Sequence, residues 1–419
     1  MTSERTCYVY IMLPGQTEFV TAGRFTLTPT ADGQAVGHFI YGKKYLARPD
    51  RVEIDPIELK LSDRPSETAI LGGFFGAIRD SMPDSWGRRI IEKRSGHPQL
   101  EEFDYLMESA DDRAGALGFG LNVEPPAPGR AYNKTLQLEQ LQIAADAIIN
   151  EDAEAGDDIA RQAEDLLYRG SSMGGARPKA VIEDENALWI AKFSHPDDRW
   201  NHPKVEHGIL QLAATCGLDV ADSRIVEIAG RDVLLVRRFD RDHGDEGFRR
   251  HRMVSALTLL RADDKVTDRT KWSYLLLADA IRRVSANPSS DLNELYRRIC
   301  FNAAISNLDD HPRNHAMIAK DTEWLLSPAY DLTPAPVTAV GSRDLAMECG
   351  DQGRYANRAN IISDHGRFYL ELDEAEQIFD TMIETIRGEW LAHMRRIGVS
   401  EPDCARISKA FVYEGLFYE

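Results

Sequence analysis

A nine-residue segment, NLDDHPRNH (residues 307–315), combines carboxylate, imidazole and amide groups at a spacing that suits phosphoryl transfer. Four residues separate Asp309 from Asn314, which is the D-x-x-x-x-N spacing of a kinase catalytic loop. The carboxylate can orient the proton of an acceptor hydroxyl, and the neutral amide oxygen can hold Mg²⁺ without adding negative charge near phosphates. Asp331, on a separate segment, completes the predicted metal site. We predict Asp309 as the catalytic base, because its spacing to Asn314 favours it over the adjacent Asp310.

Two further signals precede this segment in the chain. The sequence GSSMGGARPKA (residues 170–180) is rich in small residues that allow backbone N–H groups to approach phosphate oxygens, although it is not a Walker A sequence. Lys192 lies near the end of an apolar strand-like segment, and Glu206 lies on the next predicted helix. This matches the strand lysine and helix glutamate of kinases, in which the lysine lies over the α- and β-phosphates and the glutamate fixes its position.

Taken singly, each signal also fits a structural explanation: a polar loop that caps a helix, a flexible turn, or an exposed lysine at a strand end. Their order favours the functional interpretation. A glycine-rich loop, a strand lysine, a helix glutamate, a strand pair, helices, the D-x-x-x-x-N segment and a metal-binding aspartate follow one another as in a protein-kinase-like catalytic core.

The elements that must position these residues fall into three predicted regions. Residues 1–125 form an N-terminal subdomain, residues 126–240 an α/β subdomain with the phosphate loop, and residues 241–419 a helical C-terminal lobe with the catalytic loop. Strands are predicted at 8–13, 24–28, 38–41, 179–183, 187–193, 223–228 and 232–237. Helices are predicted at 66–80, 85–96, 136–167, 204–216, 253–260, 272–284, 292–307 and 374–397. The fold class is therefore α+β, a protein-kinase-like two-lobe fold with an N-terminal β-containing subdomain.

Composition narrows the class of protein. The 419 residues suggest two or three domains, and 50 Lys+Arg against 68 Asp+Glu give a net charge of −18, which argues against a chain that coats nucleic acid. No apolar run approaches the length of a membrane helix, and the start lacks a clear signal peptide. Five cysteines without a CxxC pair suit reduced thiols. We therefore expect a cytoplasmic protein without membrane contact. The arginine-rich residues 237–252 are expected to form a solvated loop.

The chain also resembles the HipA-type toxins of bacterial type II toxin–antitoxin systems, which are kinase-like Ser/Thr phosphotransferases. The matching stretches occur in a specific order between about residues 8 and 335. They are PDSWGR (83–88), DRAGAL (112–117), SMGGARPK (172–179), WIAK (189–192), VRRFDR (236–241), the segment from Asp309 to Asn314, and Tyr330 with Asp331. Residues beyond these contribute no motif that can be named.

The resemblance implies roles for individual positions. Asp309 would be the catalytic base, Asn314 and Asp331 would hold Mg²⁺, and Lys192 would contact the phosphates of ATP. Backbone groups from Val236 to Phe239 would contact adenine. The phosphate loop would contribute Ser172, Gly174, Gly175 and Ala176.

The resemblance further implies control by autophosphorylation. Ser172 matches the serine that family members modify, which draws the loop out of the site; Ser171 beside it is the alternative. A phosphoserine there places close to two negative charges where the phosphates of ATP bind. Arg177 stands where glutamine is frequent in the family, so its phosphate contact can differ.

The resemblance suggests an ATP- and Mg²⁺-dependent Ser/Thr protein kinase that phosphorylates an aminoacyl-tRNA synthetase. It also suggests a helix-turn-helix antitoxin of the HipB type as the partner that supplies most contact with DNA. Three alternatives stay open: a phosphotransferase for small molecules or lipid head groups, a catalytically silent DNA-bound partner, and a metal-dependent hydrolase. The hydrolase would be built on Asp309, His311, His315 and Asp331.

Overall fold

The computed structural model describes residues 4–31, 33–97, 100–150, 167–168, 177–185, 187–195, 197–335 and 341–418. Within this part of the chain, no helix is both long and apolar enough to cross a membrane. The described residues form two five-stranded sheets followed by a mainly helical region with a small three-stranded sheet.

The first sheet is antiparallel throughout and has the strand order β4-β3-β2-β1-β5. Its strands are β1 Arg5–Met12, β2 Phe19–Pro29, β3 Ala35–Tyr41, β4 Ser66–Thr68 and β5 Leu117–Gly120. The central strand β1 contributes the fully buried Val9 and Ile11 to the core. The helices of this region are α1 Lys43–Leu46, α2 Gly76–Asp80, α3 Ser85–Ser95 and α4 Glu102–Glu108.

The predicted helix over residues 66–80 is wrong for most of its length. Residues Ser66–Thr68 pair with β3 as an edge strand, and only Gly76–Asp80 is α-helical. Leu71, Gly72 and Gly73 have φ values of 52°, 66° and 85°, and such left-handed residues cannot continue a right-handed helix. The next predicted helix is confirmed: α3 has Asp84 as its N-cap, and the left-handed Gly96 ends it.

The second sheet has the order β6-β7-β8-β10-β9 and lies over the helical region. Its strands are β6 Asn133–Lys134, β7 Lys179–Asp184, β8 Ala187–Lys192, β9 Ser223–Ile228 and β10 Arg231–Arg237, close to the predicted positions. In the described part of this region, the helices α5 Leu138–Asn150 and α6 His202–Thr215 accompany it. The α6 helix begins where Asn201 caps it and a proline occupies its first turn.

The C-terminal region is helical, as predicted. Its helices are α7 Ala256–Leu260, α8 Tyr274–Val284, α9 Pro288–Ala304, α10 Arg358–Ser363, α11 Leu372–Arg396 and α12 Glu401–Ile407. Its strands are β11 Arg241–Gly244, β12 Gly247–Arg250, β13 Arg252–Ser255, β14 Ala316–Ala319 and β15 Leu325–Leu326. The predicted helix at 253–260 is therefore half wrong, because its first residues pair with β14 as strand β13.

Parts of all three regions share one core, whereas one side of the second sheet packs on α5 in a separate cluster. Buried side chains from Cys7 in β1 to Leu416 near the C-terminus belong to a single hydrophobic cluster. The α6 helix also packs on α11, and Gly208 permits this contact, since a Cβ atom there would lie 2.3 Å from Ile397. The division at residues 125 and 240 falls between β5 and β6 and between β10 and β11. It stays a prediction.

The arginine-rich segment is not a solvated loop, which corrects the expectation from sequence. Arg238 donates to Asp112 at 2.6 Å and to Asp240 at 3.0 Å, and Arg241 donates to Asp240 at 2.8 Å. All four residues are buried. Burial raises the pKa of Asp240, but the two arginines lower it by more, so the carboxylate stays ionised. The network attaches the DRAGAL motif of the first region to the VRRFDR motif of the second.

A second buried carboxylate gives a pH-dependent prediction. Asp55 accepts hydrogen bonds from the backbone of Ile57, Glu58 and Leu59, yet burial raises the pKa of its carboxyl to about 6 from 3.8. Below about pH 4 the Asp55 carboxyl is protonated in both the folded and the unfolded state. Between about pH 4 and 6 it ionises more readily in the unfolded state, so the free energy of unfolding falls as the pH rises. Relative to Asp55→Asn, the wild type is expected to lose about 3 kcal/mol of unfolding free energy between these limits. Urea titrations at each pH measure this, and a difference that does not change with pH would contradict it.

Candidate active site

An open cleft of about 1110 Å³ lies between the second sheet and the helical region. Its walls come from three parts of the chain, which the linear sequence keeps far apart. The residues that line it include Ile190, Lys192, Val236, Phe239, Asn314 and Asp331. A mainly apolar cleft with a few convergent polar groups is a typical binding site for a small ligand.

Lys192 is held between two carboxylates. Its Nζ donates to Glu206 Oε1 at 2.6 Å and to Asp331 Oδ1 at 2.6 Å. Strand β8 places the lysine at its last residue, and helix α6 brings Glu206 beneath it, with 6% of the glutamate side chain exposed. Asp331 has a left-handed backbone with φ of 59°, which turns its side chain to the lysine from the helical region. The ion pairs therefore connect the two sides of the cleft.

Lys192, Glu206 and Asp331 shift one another's pKa values. The Lys192 ammonium lowers the pKa of Asp331 to about 2, so this carboxylate is ionised at neutral pH. Burial lowers the pKa of Lys192, but Asp331 and Glu206 raise it by more, which keeps the ammonium charged. Burial raises the pKa of Glu206, and Lys192 offsets this only in part. Lys192 thus stays charged between the two carboxylates, where its ammonium can bind a phosphate.

Asp309 and Asp310 have different environments although they are neighbours. Asp309 is exposed, whereas Asp310 is 1% exposed. Asp310 accepts hydrogen bonds from Asn302 Nδ2 at 2.8 Å, from His315 Nε2 at 2.7 Å and from Tyr274 Oη. All three bonds reach Oδ2, which therefore connects the loop to α8 and α9. Of the two, Asp309 exposes its carboxylate to solvent, although it is not among the residues that line the cleft.

Asn314 follows on the same loop, where the short 3₁₀ helix Pro312–Asn314 turns its side chain back towards Asp309. Its Nδ2 donates to the backbone carbonyl of Asp309 at 3.3 Å, which leaves Oδ1 as the acceptor end of the amide. Asn314 and Asp331 both line the cleft. An amide oxygen and an ionised carboxylate are ligands that suit Mg²⁺, which takes its remaining ligands from water and phosphate. The donor set therefore fits a magnesium nucleotide.

One of the four residues of the metal-dependent hydrolase alternative does not lie in the cleft. His315 is buried, bonds to Asp310 and packs its ring at 5.7 Å against Tyr274, so it does not join Asp331 in the cleft. Within the described ranges, no group of three or more His, Cys, Asp or Glu side chains is arranged to hold a metal ion. His311, by contrast, does line the cleft.

Val236 and Phe239 both line the cleft. Val236 pairs with Ile190 across β10 and β8, and the Phe239 ring lies 5.5 Å from that of Tyr330. These side chains give the cleft an apolar surface suited to a purine ring. Ser171, Ser172, Gly174, Gly175 and Ala176, the predicted phosphate-loop residues, lie outside the described residues.

Two residues beside the site, Lys179 and Asp84, were not predicted from the sequence as part of it. Lys179 is directly opposite Lys192 in the β7–β8 register, and its Nζ lies 3.2 Å from Asp84 Oδ2. The PDSWGR motif is packed: Trp86 is buried, and Arg88 forms two 2.7 Å bonds with Glu102. Register is the missing signal, because the sequence does not show which residues of two strands are opposite each other.

A sheet that carries a paired lysine, above a helical region that carries Asp309, Asn314 and Asp331, defines a two-lobe, kinase-like fold. Comparison with known proteins agrees. Residues 171–390 match the family model of the HipA-like C-terminal domain, and residues 20–120 match that of the HipA N-terminal domain. The chain belongs to the HipA family.

Relatives and a solved structure extend this result. "Putative kinase Y4mE" of Sinorhizobium fredii is 30% identical over 294 residues, which are 66% of this chain and 67% of the relative. A "Putative kinase" of Haemophilus influenzae is 27% identical over 180 residues, which are 39% of this chain and 52% of the relative. The fold is similar to HipA in the Shewanella oneidensis MR-1 complex of HipA, HipB and operator DNA. The TM-score is 0.66 at 16% identity, with 98% of this chain and 100% of that chain covered.

Proposed function

We propose that the chain is an ATP- and Mg²⁺-dependent Ser/Thr protein kinase and the toxin of a type II toxin–antitoxin system. One observation carries the proposal: Lys192 bridges Glu206 and Asp331 in a cleft that Asn314 also lines. This is the lysine–glutamate pair and the metal-binding aspartate that protein kinases require in place. Kinase-named relatives of the same family support it.

The residues divide the work of phosphoryl transfer. Lys192, fixed by Glu206, binds phosphate oxygens and offsets the charge that develops on them. Asn314 and Asp331 would hold Mg²⁺, which supplies further charge neutralisation on the phosphates. The exposed Asp309 orients the acceptor hydroxyl and accepts its proton as the oxygen attacks the γ-phosphorus and the bond to ADP breaks. Positioning and electrostatics supply most of the rate acceleration.

The proposal extends to substrate and partner. An aminoacyl-tRNA synthetase is the proposed protein substrate, and Ser172, or Ser171, the site of autophosphorylation. The proposed partner is a helix-turn-helix antitoxin, because the structurally similar HipA occurs in a complex with HipB and operator DNA. The net charge of −18 fits contact with DNA mainly through such a partner.

Incubation with γ-labelled ATP tests the proposal. We expect the purified chain to incorporate label with Mg²⁺ and not with a chelator, and peptide mapping to place it on residues 171–176. Ser172→Ala and Ser171→Ala are matched variants, and we expect only Ser172→Ala to abolish incorporation. An intact mass measured beforehand identifies a chain that already carries phosphate. An unmodified chain that incorporates no label would contradict the kinase, and label on a metabolite alone would favour the small-molecule alternative.

The substrate needs its own experiment. A panel of purified aminoacyl-tRNA synthetases, each with and without its tRNA, is incubated with the unphosphorylated kinase and labelled ATP. We expect one synthetase to accept label on a serine or threonine. If none does while the chain labels itself, the synthetase is wrong as a substrate and the kinase stands.

A further inference from the structure

Lys179 is a buried lysine beside the site to which the proposed mechanism gives no role. Only 2% of its side chain is exposed, and its ammonium lies 3.2 Å from Asp84 Oδ2. Asp84 belongs to the first region of the chain, where it caps helix α3 by accepting from Gly87 N at 3.0 Å. The indole of Trp86 also donates to the Lys179 carbonyl at 3.1 Å. Helix α3 is thereby attached to the start of β7, directly after the glycine-rich segment.

The sheet register directs Lys179 towards the nucleotide cleft. In antiparallel strands, directly opposite residues point to the same face, and Lys179 is opposite Lys192. That face is the cleft face, because Ile190 and Lys192, two residues apart on β8, both line the cleft. The pKa of Lys179 reflects this position: burial lowers it, Asp84 raises it, Lys192 lowers it and Asp331 raises it. The two ammonium groups are thus within electrostatic reach of each other.

Two lysines directly opposite each other lower the stability of the sheet. The role of Asp84 as the cap of α3 does not explain why Lys179 is present. Like charges at directly opposite positions destabilise a sheet, and a buried ion pair seldom repays its desolvation. An uncharged asparagine or serine would cap α3 as well as Asp84 does, and would need no lysine. The cost is offset if an anion binds near both ammonium groups.

We propose that Lys179 is a positioning residue of the phosphate site, which adds to the positive potential created by Lys192 and is paired with Asp84 of the first region. This inference rests on the proposed function, since a nucleotide must occupy the cleft. Lys179 does not line the cleft among the described residues, so it acts through its charge and not through a direct contact. The first region of the chain would thereby influence nucleotide affinity.

Binding of ligands that differ only in their phosphates tests the inference. Calorimetry measures the Kd of MgATP, MgADP and adenosine for the full-length wild type, Lys179→Met and the double variant Asp84→Asn/Lys179→Met. The double variant removes the unpaired buried carboxylate that the single one leaves. We expect both variants to bind adenosine with the affinity of the wild type and MgATP about tenfold more weakly than the wild type does. The loss of affinity for MgADP is expected to lie between these two. A structural role would not produce a loss that grows with the number of phosphates.

Asp84→Asn alone is the matched control, because it keeps both the helix cap and the lysine charge. We expect its ratio of MgATP to adenosine affinity not to fall below that of the wild type. The inference is overturned if the double variant binds MgATP as tightly as the wild type, or if adenosine binding weakens equally. A wild type that binds adenosine but not MgATP, or none of the three ligands, would instead overturn the proposed function.

Discussion

Replacement of Asp309 by asparagine is expected to lower the rate of phosphoryl transfer by about 10²- to 10⁴-fold and to leave MgATP binding unchanged. Asp309 is the exposed carboxylate of the catalytic loop, and asparagine has its shape without its ability to accept the hydroxyl proton. The bond from Asn314 to the Asp309 carbonyl involves the backbone and survives the change. Initial rates of label transfer and a calorimetric Kd measure the two effects separately.

Asp310→Asn is the matched control at the adjacent position. Asp310 is buried, and its Oδ2 accepts from Tyr274, Asn302 and His315, so asparagine would remove the negative charge that strengthens these three hydrogen bonds. We expect this variant to unfold at lower denaturant concentration than Asp309→Asn. If Asp309→Asn transfers phosphate at the wild-type rate, Asp309 is not the base and the proposed mechanism is wrong.

The largest expected effect on stability belongs to Arg238. Its side chain is fully buried between Asp112 and Asp240, and it also donates to the Arg113 carbonyl at 2.9 Å. Arg238→Leu would leave those carboxylates without their main partner, and breaking a buried ion pair from one side typically costs 3–5 kcal/mol. Urea unfolding of the wild type and the variant measures this loss.

Arg237 provides the control for this prediction. It precedes Arg238 in the sequence, but 48% of its side chain is exposed and its partner Asp222 is 69% exposed. Exposed ion pairs contribute at most about 1 kcal/mol, so Arg237→Leu is expected to change the unfolding free energy only slightly. Equal losses in both variants would show that burial does not decide the cost, contrary to the network described above.

The sequence by itself determined which residues form the candidate site and in what order they follow one another in the chain. Residue type and spacing predicted Lys192, Glu206 and Asp331 as one group, and the structure places the lysine between the two carboxylates. Strands β7 to β10 were predicted within about two residues, because apolar runs bounded by turn residues are a local property. Family motifs added the HipA resemblance, which the family models confirm. Local signals of this kind do not depend on the rest of the fold.

Local propensity failed where distant parts of the chain decide the outcome. Residues 66–80 have a helical composition, but pairing with β3 and three left-handed residues divide them. The arginines of 237–252 suggested a solvated loop, because nothing nearby in sequence reveals that Asp112 lies more than a hundred residues earlier and is their buried partner. Burial and pairing of charges are tertiary properties, so composition alone cannot assign them.

Tertiary structure also decided which chemically similar residues can act. Asp309 and Asp310 are identical in type and adjacent, yet only the fold exposes the first and encloses the second among three donors. Lys179 was predicted as the first residue of a strand, but only the β7–β8 register shows that it lies opposite Lys192 and next to Asp84. The sequence determines which groups are available, whereas their exposure, partners and mutual distances arise only when strands and helices remote in the chain pack together.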